Sequence, residues 1–229
     1  VLNRAYELSV QAANGTYEGE DLNKIKEEID QLKEHLLQVA NTTYAGRHIF
    51  SGYKTDQPLL IKKESGEIVY NIDLSQKEIF QYNVGLAEKI DVNIVGVKVF
   101  GVVQGNDYKY DTDVNNSNTP ALIDVFNKFS KALADSDKDG LQKAISNLQA
   151  SMKQVSSVQS EIGAKANRLE FTTKKLDSQI NNVKELLSYN EDVDVAEAIM
   201  NLTMAQNVYV SSLMTGAKII QPTLAQFLS

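Results

Sequence analysis

Apolar residues recur at helical spacing along the first forty positions. Leu2, Ala5, Leu8 and Ala12 mark a short helix over residues 1–13, closed by Asn14-Gly15, a good helix-ending pair. A second helix carries Leu22, Ile25, Ile29, Leu32, Leu36 and Val39, whose alternating steps of three and four make a heptad seam. Glu20 or Asp21 stands at its start, where a carboxylate suits the helix dipole. After Tyr44 the pattern breaks into "AGRHIFSGYKTDQP", a turn-rich connector with two Gly and a Pro. From about Leu59 to Tyr110 the period becomes two. "EIVYNIDL", "EIFQYNVG" and "KIDVNIVGVKVFG" read as strands, at least three in number, divided by "ESGE", "LSQK" and glycines. "DTDVNNSNTP" closes this β unit.

Helical spacing then returns. Pro120 suits a first helical position, and Leu122, Val125, Phe126, Phe129 and Leu133 form the buried stripe that follows. "DSDKDG" breaks that helix. The longest signal comes next: Leu141, Ile145, Leu148, Met152, Val155, Gln159, Ile162, Ala166, Leu169, Thr173, Leu176, Ile180, Val183 and Leu187 alternate steps of four and three without a slip. The run predicts one helix of roughly 70 Å at ~1.5 Å per residue, packed along its length on partner helices. "SYNEDVDVAEA" interrupts it, with Asp194 as N-cap and Glu197 three residues on. The last helix is expected to bury Val195, Ala198, Ile199, Leu202, Ala205, Tyr209 and Gly216. Pro222 should end or kink it near Gln221, leaving "TLAQFLS" as a separate short segment.

Composition narrows the function classes. The 229 residues carry a net charge of -7, which argues against sequence-independent nucleic-acid binding. No apolar run approaches the ~20 residues that cross a bilayer, so no membrane partner is expected. Hydrophobic residues make up 42%, enough to fold, while three prolines and no Trp suit long helices. There are no cysteines, which excludes disulfides, thiolate chemistry and Cys-based metal sites. The chain begins at Val1 inside a helical pattern and reads as a fragment.

Candidate chemistry is sparse. "DSDKDG" (Asp135–Gly140) copies the start of a calcium loop, but its twelfth position is Ser146 rather than a bidentate Glu. An interhelical turn capped by Asp137 or Asp139 is the better account. His35 and His48 have no partners at metal spacing, and a lone exposed His is an ordinary surface residue. Glu27 and Glu28 read as a solvated helix face. No phosphate loop or nucleophile elbow is present. The reading calls for no enzyme, no cofactor and no metal.

Three stretches carry a family resemblance. "ANTTYAGRHIFSGYKTDQP" and "EDVDVAEAIMNLTMAQNVYVSSLMTGAKIIQPTLAQFLS" resemble the hook–filament junction (hook-associated protein 3) family of the flagellin superfamily, and "ELSVQAANGTY" fits its preceding helix. The resemblance covers both ends of the chain. Relatives carry a further N-terminal segment whose helix pairs with the C-terminal one. The fold it implies is mainly α with a β insertion (α+β). It would be an elongated rod of long antiparallel coiled-coil-like helices bearing a small inserted antiparallel β domain. Its expected parts are a discontinuous helical rod (1–57 plus 116–190), a β domain (58–115) and a terminal segment for axial assembly (191–229). The resemblance further implies a protein exported through the flagellar type III apparatus and located outside the cell. It would self-associate in a ring and join hook-associated protein 1 to flagellin, with an export chaperone before secretion. Leu202, Ala205, Tyr209, Leu213, Ile219, Ile220, Leu224 and Phe227 are its candidate assembly interface. A short flagellin filament subunit and a calcium-binding module are the alternatives.

Overall fold

The computed structural model describes residues 1–14, 19–84 and 89–227, with side chains described as far as Ile219. Two compact units divide the chain, Val1–Thr172 and Thr173–Ser229. The chain is mainly helical with small antiparallel sheets, as the sequence led us to expect.

The first unit opens with α1 (Leu2–Ala13) and α2 (Gly19–Ala40). Helix α1 ends at Ala13 as predicted; Gly15 lies outside the described residues. On α2 the seam holds at Leu22, Ile25, Ile29 and Leu36, with Leu32 half-buried, but fails at Val39. Val39 is exposed, and Ala40, one residue on, is fully buried. A period of 3.6 drifts from a strict 3.5 repeat within three turns, so the last seam position passes to its neighbour.

Among the described residues, eight short strands follow in four two-stranded antiparallel sheets: β1 (Thr43–Tyr44) with β2 (Arg47–His48), β3 (Leu60–Lys62) with β4 (Ile68–Tyr70), β5 (Gln81–Asn83) with β6 (Lys89–Asp91), and β7 (Val102–Gln104) with β8 (Asp107–Lys109). Ala45 and Gly46 both take positive φ, as a two-residue hairpin turn between right-twisted strands requires. "KIDVNIVGVKVFG" is not one strand. Only Lys89–Asp91 pairs; Val97–Phe100 turns into the short helix α3, where Val97 and Phe100 fill the core. Continuous apolar residues satisfy a strand or a buried helical turn equally, and packing selected the second.

The core is one cluster shared by helices and hairpins. Helix α4 (Ala121–Ala134) is its centre, with Leu122, Val125, Phe126, Phe129 and Leu133 all buried. Pro120 is the N-cap of α4 rather than its first residue: its ψ of 135° is still extended. Tyr70, wholly buried, donates its hydroxyl to the Gly101 carbonyl at 2.6 Å. Gly101 sits at φ 60°, ψ -178°, and an added Cβ would lie 2.7 Å from the Tyr110 ring. Between α2 and α4, Asp30 accepts hydrogen bonds from Lys26, Lys33 and Ser130. Partial burial works against ionisation of Asp30, but the two lysines outweigh it and hold the carboxyl below its ordinary range.

Helix α5 runs over 54 residues, Lys138–Glu191. Asp137 is its N-cap, accepting the Asp139 amide at 3.1 Å, so the "DSDKDG" stretch is an interhelical turn. The buried residues are Leu141, Ala144, Leu148, Ser151, Val158 and Thr172, not the predicted seam beyond Leu148. Ile145, Met152 and Val155 are half-buried and Gln159 is exposed. Small Ala144 and Ser151 allow close approach, so the contact face swings toward them. Lys98 on α3 pairs with Glu161, and Gln154 donates to the Lys98 carbonyl at 3.0 Å. From Ile162 on, Leu169, Leu176, Ile180, Val183 and Leu187 are exposed, against the expectation of packing along the whole helix. The second unit ends in α6 (Val195–Phe227), which runs through Pro222 instead of stopping near Gln221. Proline removes one intrahelical donor, but the turns on either side keep theirs.

Candidate assembly surface

Two regions concern us: the "AGRHIFSG" connector and helix α6. The connector has no catalytic geometry. It is a staple. Asn41, just past α2, donates through Nδ2 to the Leu60 carbonyl at 2.8 Å and accepts the Leu60 amide at 3.0 Å through Oδ1. A side-chain amide thus pairs the outer edge of β3 as a further strand would. His48 is half-buried, not a free surface residue as expected; its Nδ1 lies 3.0 Å from the Asn41 carbonyl and holds the hairpin to the end of α2. The Ser51 hydroxyl, fully buried, donates to the Gln57 carbonyl at 2.9 Å. Phe50 stacks edge-on against Phe100 with centroids 5.6 Å apart. Glu28, read as solvated, is half-buried and pairs with Arg4 on α1 at 2.6 Å. The signal that marked this stretch was its fit to the family; the reason for it is backbone geometry.

Helix α6 is built differently. Asp194 caps it as predicted, accepting the Ala196 amide at 2.9 Å and the Glu197 amide at 3.3 Å. Between Ala198 and Ala217 there is no charged residue. The stripe expected to be buried is exposed: Val195 at 68%, Leu202 at 58% and Tyr209 at 65%. An apolar helix face of this kind is a surface suited to a partner.

Of the predicted interface residues, Leu202, Ala205, Tyr209 and Leu213 share one stripe of α6 and are all exposed. Ile219 is exposed too but turns toward the other side of the helix, by the ~100° per residue of an α-helix. The side chains of Ile220, Leu224 and Phe227 lie outside the described residues. Sequence reasoning missed the opposite face, where Met200, Met204 and Val208 are as exposed as the predicted stripe. A single-stripe reading cannot find it, because a helix apolar on both sides has no polar face to contrast. Among the described residues there is no group of acids and histidines able to hold a metal ion, and no helix long and apolar enough to cross a membrane.

Comparison with known proteins fits both regions. Residues 1–55 match the bacterial flagellin N-terminal helical region, and residues 145–228 match the bacterial flagellin C-terminal helical region. The flagellar hook-associated protein 3 of Escherichia coli is 28% identical over 225 residues, covering 91% of this chain and 68% of the relative. The flagellin of Bacillus subtilis is 29% identical over 210 residues, covering 89% and 63%. The chain therefore spans about two thirds of the length of these relatives. Two solved structures share the fold: hook-associated protein 3 of Legionella pneumophila (TM-score 0.67, 17% identity, 84% of this chain and 88% of that one) and FlgL of Xanthomonas campestris (0.66, 14%, 82% and 88%). The two helical family regions together take in more than half of the chain and hold the staple and the uncovered helix alike, and the chain belongs to the flagellin superfamily.

Proposed function

We propose that this protein is a structural component of the bacterial flagellum, exported from the cell, that forms the junction between hook and filament. The observation that carries the reading is α6: a 33-residue helix with exposed apolar residues on opposite sides, a surface made to be covered by other subunits. Removing apolar area from water is worth roughly 25 cal/mol per Å². Assembly is therefore favoured once neighbours are present. Residues 191–229 serve as the terminal segment for axial packing, with Leu202, Ala205, Tyr209, Leu213, Ile219, Ile220, Leu224 and Phe227 in the interface. Residues 58–115 are the inserted β domain on a helical body of 1–57 and 116–190. Copies associate in a ring, hook-associated protein 1 lies on one side and flagellin on the other, and an export chaperone covers the apolar tail before secretion. The protein performs no catalysis.

Deletion of the gene tests this. Cells should complete their hooks, lack filaments and release unpolymerised flagellin. The second reading, a short flagellin, draws on the identity with the Bacillus subtilis flagellin. It predicts thousands of copies along the filament instead of a single ring, which quantitative labelling of isolated flagella separates.

A further inference from the structure

Two loops of the first unit hold each other by the same set of bonds. One, residues 73–78, follows β4; the other, residues 111–118, follows β8. Leu74 and Val114, both buried, exchange backbone hydrogen bonds as an isolated antiparallel bridge, 2.9 Å in each direction. An aspartate stands one residue before the bridge on each side. Asp73 accepts the Asn116 amide at 2.5 Å, and Asp113 accepts the Gln76 amide at 2.7 Å. Beyond the bridge each loop closes on itself alike. The Glu78 amide donates to the Ser75 carbonyl and the Ser75 amide to Glu78 Oε1, both at 3.1 Å. The Asn118 amide donates to the Asn115 carbonyl at 3.1 Å, and the Asn115 amide to Asn118 Oδ1 at 2.7 Å.

The match reaches into the sequence. Tyr70-Asn71-Ile72-Asp73-Leu74 and Tyr110-Asp111-Thr112-Asp113-Val114 share a tyrosine, an aspartate and an apolar bridge residue at the same spacing. An antiparallel pair has a local two-fold between its strands, and the reciprocal aspartates carry that symmetry into the side chains. They also change the chemistry. The Gln76 and Asn116 amides end on carboxylates instead of carbonyls, and such charge-assisted bonds are the stronger kind only while the acid is ionised. Both aspartates are exposed, so a proton reaches them while the loops are closed.

We propose that these loops form an acid-released latch: with both aspartates ionised they are locked across the Leu74–Val114 bridge and open only together, and loss of the charges frees them ahead of the helices. This goes beyond the junction reading and does not depend on it. The Gln76 amide, and after it the Ser75 hydroxyl at 3.0 Å, hold the Asp113 carboxyl below its ordinary range; Lys77 adds to this and slight desolvation opposes it. A depressed carboxyl gives its full stabilisation above the ordinary value of ~4 and loses it as pH falls through the lower folded value. Two further charged groups face the latch. Glu78 also accepts the Tyr53 amide at 3.0 Å, and Lys54 of the connector donates to the Asp73 carbonyl at 2.8 Å.

Amide hydrogen exchange of the full chain, read residue by residue by NMR and expressed as protection relative to an unfolded peptide, tests the latch. From about pH 6 to about pH 3, protection at Leu74, Gln76, Val114 and Asn116 should fall together, by about fivefold or more, before that of Phe126 and Phe129 in α4 falls. Asp73→Asn with Asp113→Asn keeps an acceptor at both places and removes the charges. That double variant should show the lowered protection already at neutral pH, with little further loss in acid. Asp73→Ala alone tests the coupling: it should speed exchange at Gln76, whose own partner is Asp113, as well as at Asn116. The proposal is overturned if the parent chain keeps these four amides protected down to about pH 3, or if α4 loses protection in step with them. It is equally overturned if the double variant protects Gln76 and Asn116 as the parent does, or if Asp73→Ala affects Asn116 alone.

Discussion

Asn41→Ala tests the staple that fixes the β hairpins to the helices. Asn41 makes two hydrogen bonds with the backbone of Leu60, at 2.8 and 3.0 Å, and Leu60 is fully buried. Alanine removes both partners and leaves an amide and a carbonyl at the outer edge of β3. Each hydrogen bond contributes about 0.5–1.5 kcal/mol net, and a buried group left unmatched costs ~1–3 kcal/mol. Water enters part of the space left by the side chain, so the sum is about 2–4 kcal/mol. Urea unfolding followed by circular dichroism reads it. With a slope of ~2 kcal/mol per molar, the midpoint should fall by about 1–2 M at unchanged slope. Asn41→Asp sharpens the test. A carboxylate still accepts from the Leu60 amide but faces the Leu60 carbonyl without a proton to donate. Its pKa is raised on folding, so the stability of this variant is greatest below the ordinary carboxylate pKa of ~4 and is lost as pH rises. The deficit of Asn41→Asp should therefore shrink as pH falls toward 4, while that of Asn41→Ala does not. An alanine deficit under ~1 kcal/mol, or an aspartate deficit independent of pH, refutes the staple.

Gly101→Ala should destabilise the first unit by about 3 kcal/mol or more, because φ 60°, ψ -178° is a region open only to glycine and the new Cβ would press on Tyr110 and Ala121; a loss under 1 kcal/mol in the same urea assay counts against it. Burial raises the Tyr70 hydroxyl well above its ordinary pKa, and burial with Asp124 pushes Tyr108 up to about 12. Both stay neutral in the fold while the unfolded chain ionises above ~10, so their contribution to stability is flat below pH 10 and falls above it; for Tyr70 the slope is ~1.4 kcal/mol per pH unit, and Tyr70→Phe should remove that part of it. Asp137→Ala should cost ~1 kcal/mol through the lost N-cap of α5, and calorimetry of the parent chain with calcium should give no heat of binding; a micromolar calcium affinity lost in this variant would restore the calcium-module reading.

Much of this architecture was legible from residue spacing. The helical seams of α1, α2 and α4 are amphipathic, and a single stripe facing one core leaves an unambiguous period. The cap at Asp194 was legible, and that of α5 was narrowed to Asp137 or Asp139, for the same local reason: the groups they bind lie two or three residues away. The β region was legible in character but not in detail. "KIDVNIVGVKVFG" is apolar enough to be buried in either form, and only the core around Phe50 and Phe100 decided that its second half is helical. The exposed face of α6 was half legible: the stripe of Leu202, Tyr209 and Leu213 stood out, whereas Met200, Met204 and Val208 did not, because a helix apolar on more than one side offers no polar face for contrast.

The sequence alone thus determined where α1, α2, α4 and α5 run and where α6 is capped, because these depend on contacts within a turn or two. Tertiary structure alone decided which face of α5 meets the core, why Asn41 stands before the hairpin, and that α6 is exposed on both sides. An apolar residue in a sequence shows a need for burial. Only the surrounding packing shows which of those needs are met within the fold and which residues, as along α6, stay exposed.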